Sequence, residues 1–175
     1  PQRWYYHCDK LGLIVWQDMV NGGGPYKLWF VTYLTNVFQP LLRRLPDARP
    51  LWGLLGRETE AGREEYAREL EATVKALQCH PCVGCWVPFN EGWGQFDAAG
   101  AVEAVRRLDD TRLVDEASGW YDQGGGDVDS LHNYFYPLRV RPRSRVVALS
   151  EYGGIAWPMP GHEPPRRAYG YGTAK

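Results

Sequence analysis

Val83-Gly84-Cys85-Trp86-Val87-Pro88-Phe89-Asn90-Glu91-Gly92-Trp93-Gly94-Gln95 is the stretch whose reading decides the fold. A mostly apolar run of strand length stops at an amide and a carboxylate, and Gly-Trp-Gly-Gln follows. Such a run belongs in a sheet buried on both faces. Its first polar residues then emerge at the strand's carboxyl end, where α/β folds build their sites. Val146-Val147-Ala148-Leu149-Ser150-Glu151-Tyr152-Gly153-Gly154 repeats the plan. Two buried strands that each deliver a glutamate at the same end predict a pair of catalytic carboxylates.

Three more runs end the same way. Leu13-Ile14-Val15-Trp16, read as a short buried strand, leads to Gln17-Asp18, Arg112-Leu113-Val114 to Asp115-Glu116, and Val128-Asp129-Ser130-Leu131 to His132-Asn133-Tyr134. Between them lie helical patterns. Tyr5, Cys8 and Leu11 share a face in 4–11, before the breaker Gly12. Tyr66, Leu70, Val74 and Leu77 recur in 58–78, where Pro81 prevents continuation. Val102, Val105 and Leu108 do so in 98–109, with Asp97 as the N-cap.

This alternation predicts a parallel α/β fold, and strand ends converging on one face are how a (β/α)8 barrel builds its site. Five strands predict part of such a barrel. The links 120–127 and 136–144 are short for full crossover helices. The long connection 20–56 reads as a functional loop or lid. Its middle, 26–38, is either a short buried helix or an aromatic wall, and 155–175 reads as loop.

Hydrophobic content of 44% and a net charge of −1 predict a soluble globular protein, not a disordered or nucleic-acid-binding one. Eight Trp and eleven Tyr exceed what the core needs and fit a binding cleft. No apolar run approaches the ~20 residues of a membrane span. Arg139, Arg141, Arg143 and Arg145 read as a solvated loop on the face opposite the glutamates.

Cys79, Cys82 and Cys85 have the spacing of an iron–sulfur or zinc motif. Strand residues three apart point to opposite faces, however, and no fourth cysteine is near. They read as reduced packing residues of a cytoplasmic protein, with neither metal nor cofactor expected. The chain opens Pro1-Gln2-Arg3-Trp4, which reads as a fragment lacking its true N-terminus.

Asp9 to Asp18, His80-Pro81-Cys82-Val83 leading to Asn90-Glu91, and Ser150-Glu151-Tyr152-Gly153-Gly154 together resemble the catalytic domain of glycoside hydrolase family 2. That family includes β-galactosidases, β-glucuronidases and β-mannosidases. The resemblance covers nearly the whole chain in order and implies strands three to seven of the barrel, residues 1–175 being a partial domain. It also implies β-sandwich domains elsewhere in the parent chain and a β-glycoside as partner.

By the resemblance Glu91 is the general acid/base, protonated at first, and Glu151 the ionised nucleophile of a retaining exo-β-glycosidase. Asn90 would meet the sugar 2-hydroxyl, Tyr134 would orient the nucleophile, and Asp18 would contact the sugar. Trp93, Gln95, His132, Trp120 and Trp157 are either pocket wall or packed residues of the barrel mouth. Tyr152 to Trp157 lacks the Asn-x-Lys pattern of glucuronide recognition, and the sugar stays open. The competing function is a carbohydrate-binding protein that has lost catalysis on the same fold.

Overall fold

The computed structural model describes residues 1–137, 139–157, 159, 161 and 170–173. The first strand, β1 (Val15–Asp18), pairs in parallel with β2 (Val83–Val87), which pairs in parallel with β4 (Leu113–Val114). At Pro88, which has no N–H for the ladder, β2 gives way to β3 (Phe89–Asn90). This strand runs parallel to β5 (Ala117–Ser118), the continuation of β4. Next come β6 (Val128–Asn133) and β7 (Val146–Tyr152), also a parallel pair. Side chains link the two groups, with Ser118 Oγ 3.3 Å from Ser130 Oγ.

Among the described residues the ladders make one three-stranded and three two-stranded sheets, not a closed ring. The fourth sheet pairs β8 (Ile155–Ala156) with β9 (Gly172–Thr173). The segment 155–175 is thus not all loop, and much of it lies outside the described residues.

Helices cover the first sheet. α1 (Gln2–Leu11) ends where Gly12 adopts φ 68°, a conformation cheap only for glycine. Residues 20–56 fold into short helical pieces: a wide π-type stretch at Trp29–Leu34, α2 (Thr35–Val37), α3 (Gln39–Leu42) and a tight turn at Arg49–Leu51. α4 (Glu60–Leu77) starts at Thr59, whose hydroxyl accepts the Gly62 N–H at 3.2 Å. α5 (Ala98–Leu108) starts at Asp97, which accepts from Gly100. Tyr66, Leu70, Val74, Val102 and Val105 are buried against Val83, Trp86 and Val114. Fully burying each such side chain contributes about 1.5–3 kcal/mol.

Polar anchors fix the sheet's amino end. Asp9 accepts the Cys82 N–H at 2.8 Å and meets His80 Nδ1 at 2.6 Å, tying α1 to β2. Arg112 reaches the Val83 and Gln78 carbonyls, joining β4 to β2 and α4.

A second cluster, Phe30, Val31, Leu55, Trp120 and Tyr121, packs the 20–56 connection against the loop after β5. The middle of the connection, 26–38, is thus helical and partly buried. Phe30 and Val31 are buried in a helix, while Trp29 and Tyr33 face outward.

Three expectations need correction. The Val146 run, expected as a buried strand, forms β7 with no buried residue, and its ends Val146 and Tyr152 are exposed. Leu13 and Ile14 are exposed rather than buried: they precede β1, which among the described residues pairs with β2 alone, and Ile14 lies over Gly84. The arginine stretch is not simply solvated. Arg143 bonds Asp129 at 2.8 Å and Arg145 grips both oxygens of Asp122, so these cations anchor the start of β7. Arg43 also pairs with Asp129. No helix among the described residues is long and apolar enough to cross a membrane.

Candidate active site

Glu91 follows β3 directly. Its N–H donates to the Ser118 carbonyl at 2.9 Å, so the β3–β5 ladder positions its backbone. Its φ is 52°, the left-handed region that a long side chain rarely occupies. Such strain costs of order 1–3 kcal/mol and is held in place by the surroundings.

Those surroundings are the Gly-Trp-Gly-Gln turn. Gly92 also has positive φ, and the Tyr121 ring fills the space a Cβ would need. Gln95 is fully buried and donates to the Tyr121 carbonyl at 2.9 Å, while Arg57 Nε donates to the Gly94 carbonyl at 2.9 Å.

Glu151 arrives from the other side. In the β6–β7 ladder Leu131 faces Leu149 and His132 faces Glu151, leaving Ser150 as an extra residue. A bulge of this kind re-aims the side chains after it. Ser150 and Glu151, consecutive in sequence, both line one cleft.

Two groups bridge the glutamates. The Tyr134 hydroxyl contacts Glu91 Oε1 at 2.9 Å and also bonds Glu151 Oε2. His132 places Nδ1 3.0 Å from Glu91 Oε1 and Nε2 3.7 Å from Glu151 Oε1. A phenol has one proton and cannot donate fully to two carboxylates.

The charge environment divides the carboxylates. The Glu91 side chain is 18% exposed and that of Glu151 44%. Burial pushes the Glu91 pKa up, but hydrogen bonds from His132 and Tyr134 and the His132 charge outweigh it, with a smaller contribution from Trp93. The net shift is downward. This departs from the expectation that Glu91 is protonated at first: two donors already satisfy its ionised form. The Tyr134 hydroxyl is pushed up by burial and then by both carboxylates, so it stays protonated. Asp18, open to water at the rim yet flanked by protein, has its pKa raised by desolvation and then by Glu151.

The cleft is about 480 Å³ and is lined by Trp16, Asp18, Asn90, Ser118, Ser150 and Glu151, with part of β7. That volume suits a small-molecule site. The Asn90 side chain makes no hydrogen bond among the described residues and is available to a ligand. A larger groove of about 590 Å³ lies between α4 and α5 and contains none of these groups.

The structure thus gathers Glu91, Glu151, Asn90, Asp18, Tyr134 and His132. Gln95 and Trp120 do not reach the cleft: both are buried behind it, holding loops. Trp93 packs edge-to-face on Tyr26 beside Glu91, and Trp157 stands 68% exposed beyond β8.

Sequence reasoning missed Ser118, Ser130 and Ser150, whose hydroxyls form a linked group, Ser118 and Ser130 buried and Ser150 half-buried, with Ser118 also 3.0 Å from His132 Nε2. The signal was there as alternation, since Ser130 and His132 stand two apart on one face of β6. It also ended the fourth run at Glu116, whereas the strand resumes at Ala117. Glu116 turns away to accept the N–H groups of Gln123 and Gly125.

One ligand atom each from Glu91, His132 and Glu151 lies within 4.8 Å of the others, a spacing compatible with a metal ion. Both His132 nitrogens already have partners, Glu91 and Ser118. The trio is therefore accounted for as a hydrogen-bonded set. Cys8, Cys82 and Cys85 are buried thiols and Cys79 is exposed.

No family model matches the chain. Its sequence is similar to a β-mannosidase B of Thermothelomyces thermophilus, 28% identical over 99 residues. The match covers 57% of this chain and 8% of that protein, so the chain spans a small part of its relative's length. The similarity supports a relationship to a glycoside hydrolase.

Proposed function

We propose that the chain carries the carboxylate pair of a retaining β-glycosidase, set on part of a (β/α)8 barrel. The observation that carries this reading is the bridging of Glu91 and Glu151 by one tyrosine hydroxyl, with an oxygen of each within 4.8 Å of the other. Retaining enzymes hold their carboxyls roughly 5–5.5 Å apart, whereas inverting ones need about 6.5–9.5 Å to admit a water. Exposed Ile14 just before β1, Trp16 of β1 and Val146 of β7 are where further barrel strands would pack.

In this reading a Glu151 oxygen attacks the anomeric carbon as the bond to the leaving oxygen breaks, and Glu91 gives that oxygen its proton. Glu91 then takes a proton from water, which displaces Glu151 and restores the anomeric configuration. Glu91 must first gain a proton, and an aglycone that expels water beside it raises the cost of its charge. Asn90 offers its amide to the 2-hydroxyl and Asp18 accepts from another hydroxyl. The similarity to a β-mannosidase makes a β-mannoside the first sugar to try.

The test is a panel of aryl β-glycosides, β-mannoside included, on the full-length protein. Glu91→Ala and Glu151→Ala should each lower turnover by at least ~10²–10⁴-fold. NMR should show the β-anomer as first product. Near-normal turnover by either variant would sink the reading, and sugar binding without hydrolysis by the parent would favour the non-catalytic alternative.

A further inference from the structure

The connection 20–56 turns two faces. Phe30 and Val31 are buried in the second cluster, whereas Trp29, Tyr33 and Val37, spaced four apart along one helical surface, are exposed. Phe135 and Tyr136, just after β6, are exposed as well. Between these two walls runs a groove of about 470 Å³, lined by Thr32, Tyr33, Asn36, Val37, Phe135 and Tyr136. The Tyr136 hydroxyl donates to the Val37 carbonyl at 3.2 Å and its N–H to Asn133 Oδ1 at 2.9 Å, tying the walls to each other and to β6. Tyr171 stacks on Tyr134 and meets Phe135 edge-on, with ring centroids 4.5 and 5.0 Å away, which steadies that wall. Single exposed apolar residues need no explanation, but aromatics gathered around one groove mark a binding surface.

Position selects the occupant. Phe135 follows Tyr134, whose hydroxyl bonds both glutamates, and the two rings lie 6.3 Å apart. The opposite wall belongs to the helical stretch whose buried side packs with Trp93, the second residue after Glu91. The catalytic cleft, with Asp18, Asn90 and Glu151, has no lining residue in common with the groove. In a retaining glycosidase the cleft holds the ring that Glu151 attacks, and the leaving oxygen faces Glu91. Whatever that oxygen carries extends past Glu91 and Tyr134, toward the groove. Chemistry narrows the choice. None of the lining side chains is charged, which leaves shape and neutral hydrogen bonds to discriminate. Flat rings with hydroxyls and an amide beside them match a pyranose, which has apolar C–H faces and a hydroxyl edge.

We propose that this groove seats the sugar ring on the leaving-group side of the scissile bond, with Tyr33 and Phe135 as its stacking surfaces. This rests on the glycosidase reading and narrows it: the substrates are β-linked oligosaccharides rather than glycosides of small alcohols.

The test uses the full-length protein with Tyr33→Ala and Phe135→Ala. Leu41→Ala is the control, an exposed residue outside the groove. Tyr33 is 70% exposed, so its truncation leaves the fold intact. The probes are three derivatives of whichever sugar the aryl-glycoside panel selects, mannose first. They are its β-linked disaccharide, its phenyl β-glycoside and its β-glycosyl fluoride, whose leaving group is too small to reach the groove. The kcat/KM ratio of disaccharide to fluoride should fall about tenfold in each groove variant, the order of one lost aromatic contact, and hold in Leu41→Ala. A merely structural defect would lower both probes together and leave the ratio alone. A ratio within about twofold of the parent's in both groove variants overturns the proposal. A fall for the phenyl glycoside without one for the disaccharide overturns it too, since the groove would then take an aryl group and not a sugar. If the parent hydrolyses none of the three, the glycosidase reading fails. Calorimetric binding of the disaccharide then decides: weakened by Tyr33→Ala if the groove holds a sugar, absent or unchanged if it does not.

Discussion

β2 and β7 share a plan, an apolar run leading to a glutamate near the carboxyl end, and occupy unlike surroundings. In β2, Val83, Cys85, Trp86 and Val87 are all buried, roofed by α4 and α5 and flanked by β1 and β4. No residue of β7 is buried, and Val146 and Tyr152 are exposed. The difference teaches that one sequence pattern can serve a central strand and an edge strand. What separates them is which neighbours are present. It also divides the labour: the central strand fixes Glu91 rigidly through the β3–β5 ladder, while the edge strand aims Glu151 with a bulge.

The largest test of that division is kinetic. If Glu91 gives the proton and Glu151 forms the covalent bond, a good phenolate leaving group should recover much of the loss in Glu91→Ala and none in Glu151→Ala. Measured across leaving groups of falling pKa, equal recovery in both variants would break the distinction.

Next comes stability. Trp86→Ala should cost about 3–5 kcal/mol, because it opens a cavity at a fully buried site and removes the indole hydrogen bond to Asp109 at 2.9 Å. Val147→Ala in β7 should cost about 1 kcal/mol or less. Denaturant unfolding of both variants would show whether the gap exists. Gly92→Ala should cost at least about 1–3 kcal/mol from positive φ alone. It also drives a methyl into Tyr121, which is stacked on Phe30 and cannot yield.

The smallest effect is in pH. The lowered Glu91 pKa means that its folded-state bonds stabilise the protein above its ordinary value of 4.5. That contribution fades as pH falls through the lowered value. Asp115 has the opposite sign: its raised pKa favours the fold when protonated, and that gain is lost as pH rises from 3.8 through about 6. Glu91→Gln should flatten the acid side of the stability profile, and Asp115→Asn should lift the neutral side.

Much of this was legible in the chain. The ends of the strands named Asp18, Glu91, His132, Tyr134 and Glu151, and period 3.6 marked the inward faces of α4 and α5, because both signals are local. Burial of Gln95 and Trp120 was not legible, since the same polar or aromatic residue suits a cleft wall or a loop anchor. Ser118 stayed hidden because the strand breaks at Asp115-Glu116 and resumes two residues later. The partners of Arg143 and Arg145 are aspartates from other elements, and no pattern within the arginine stretch points to them. The downward shift of Glu91 was equally out of reach, since it arises from two donors on β6 and the turn after it.

The left-handed backbone at Glu91 has a consequence for how this position would fare under selection or redesign. A procedure that rewarded folding alone would write glycine or asparagine there, since either relaxes the main chain. A glutamate at 91 is a choice against the local backbone. In a library screened only for thermal tolerance, this site should be among the first to drift, and drift there would be a record of selection without chemistry.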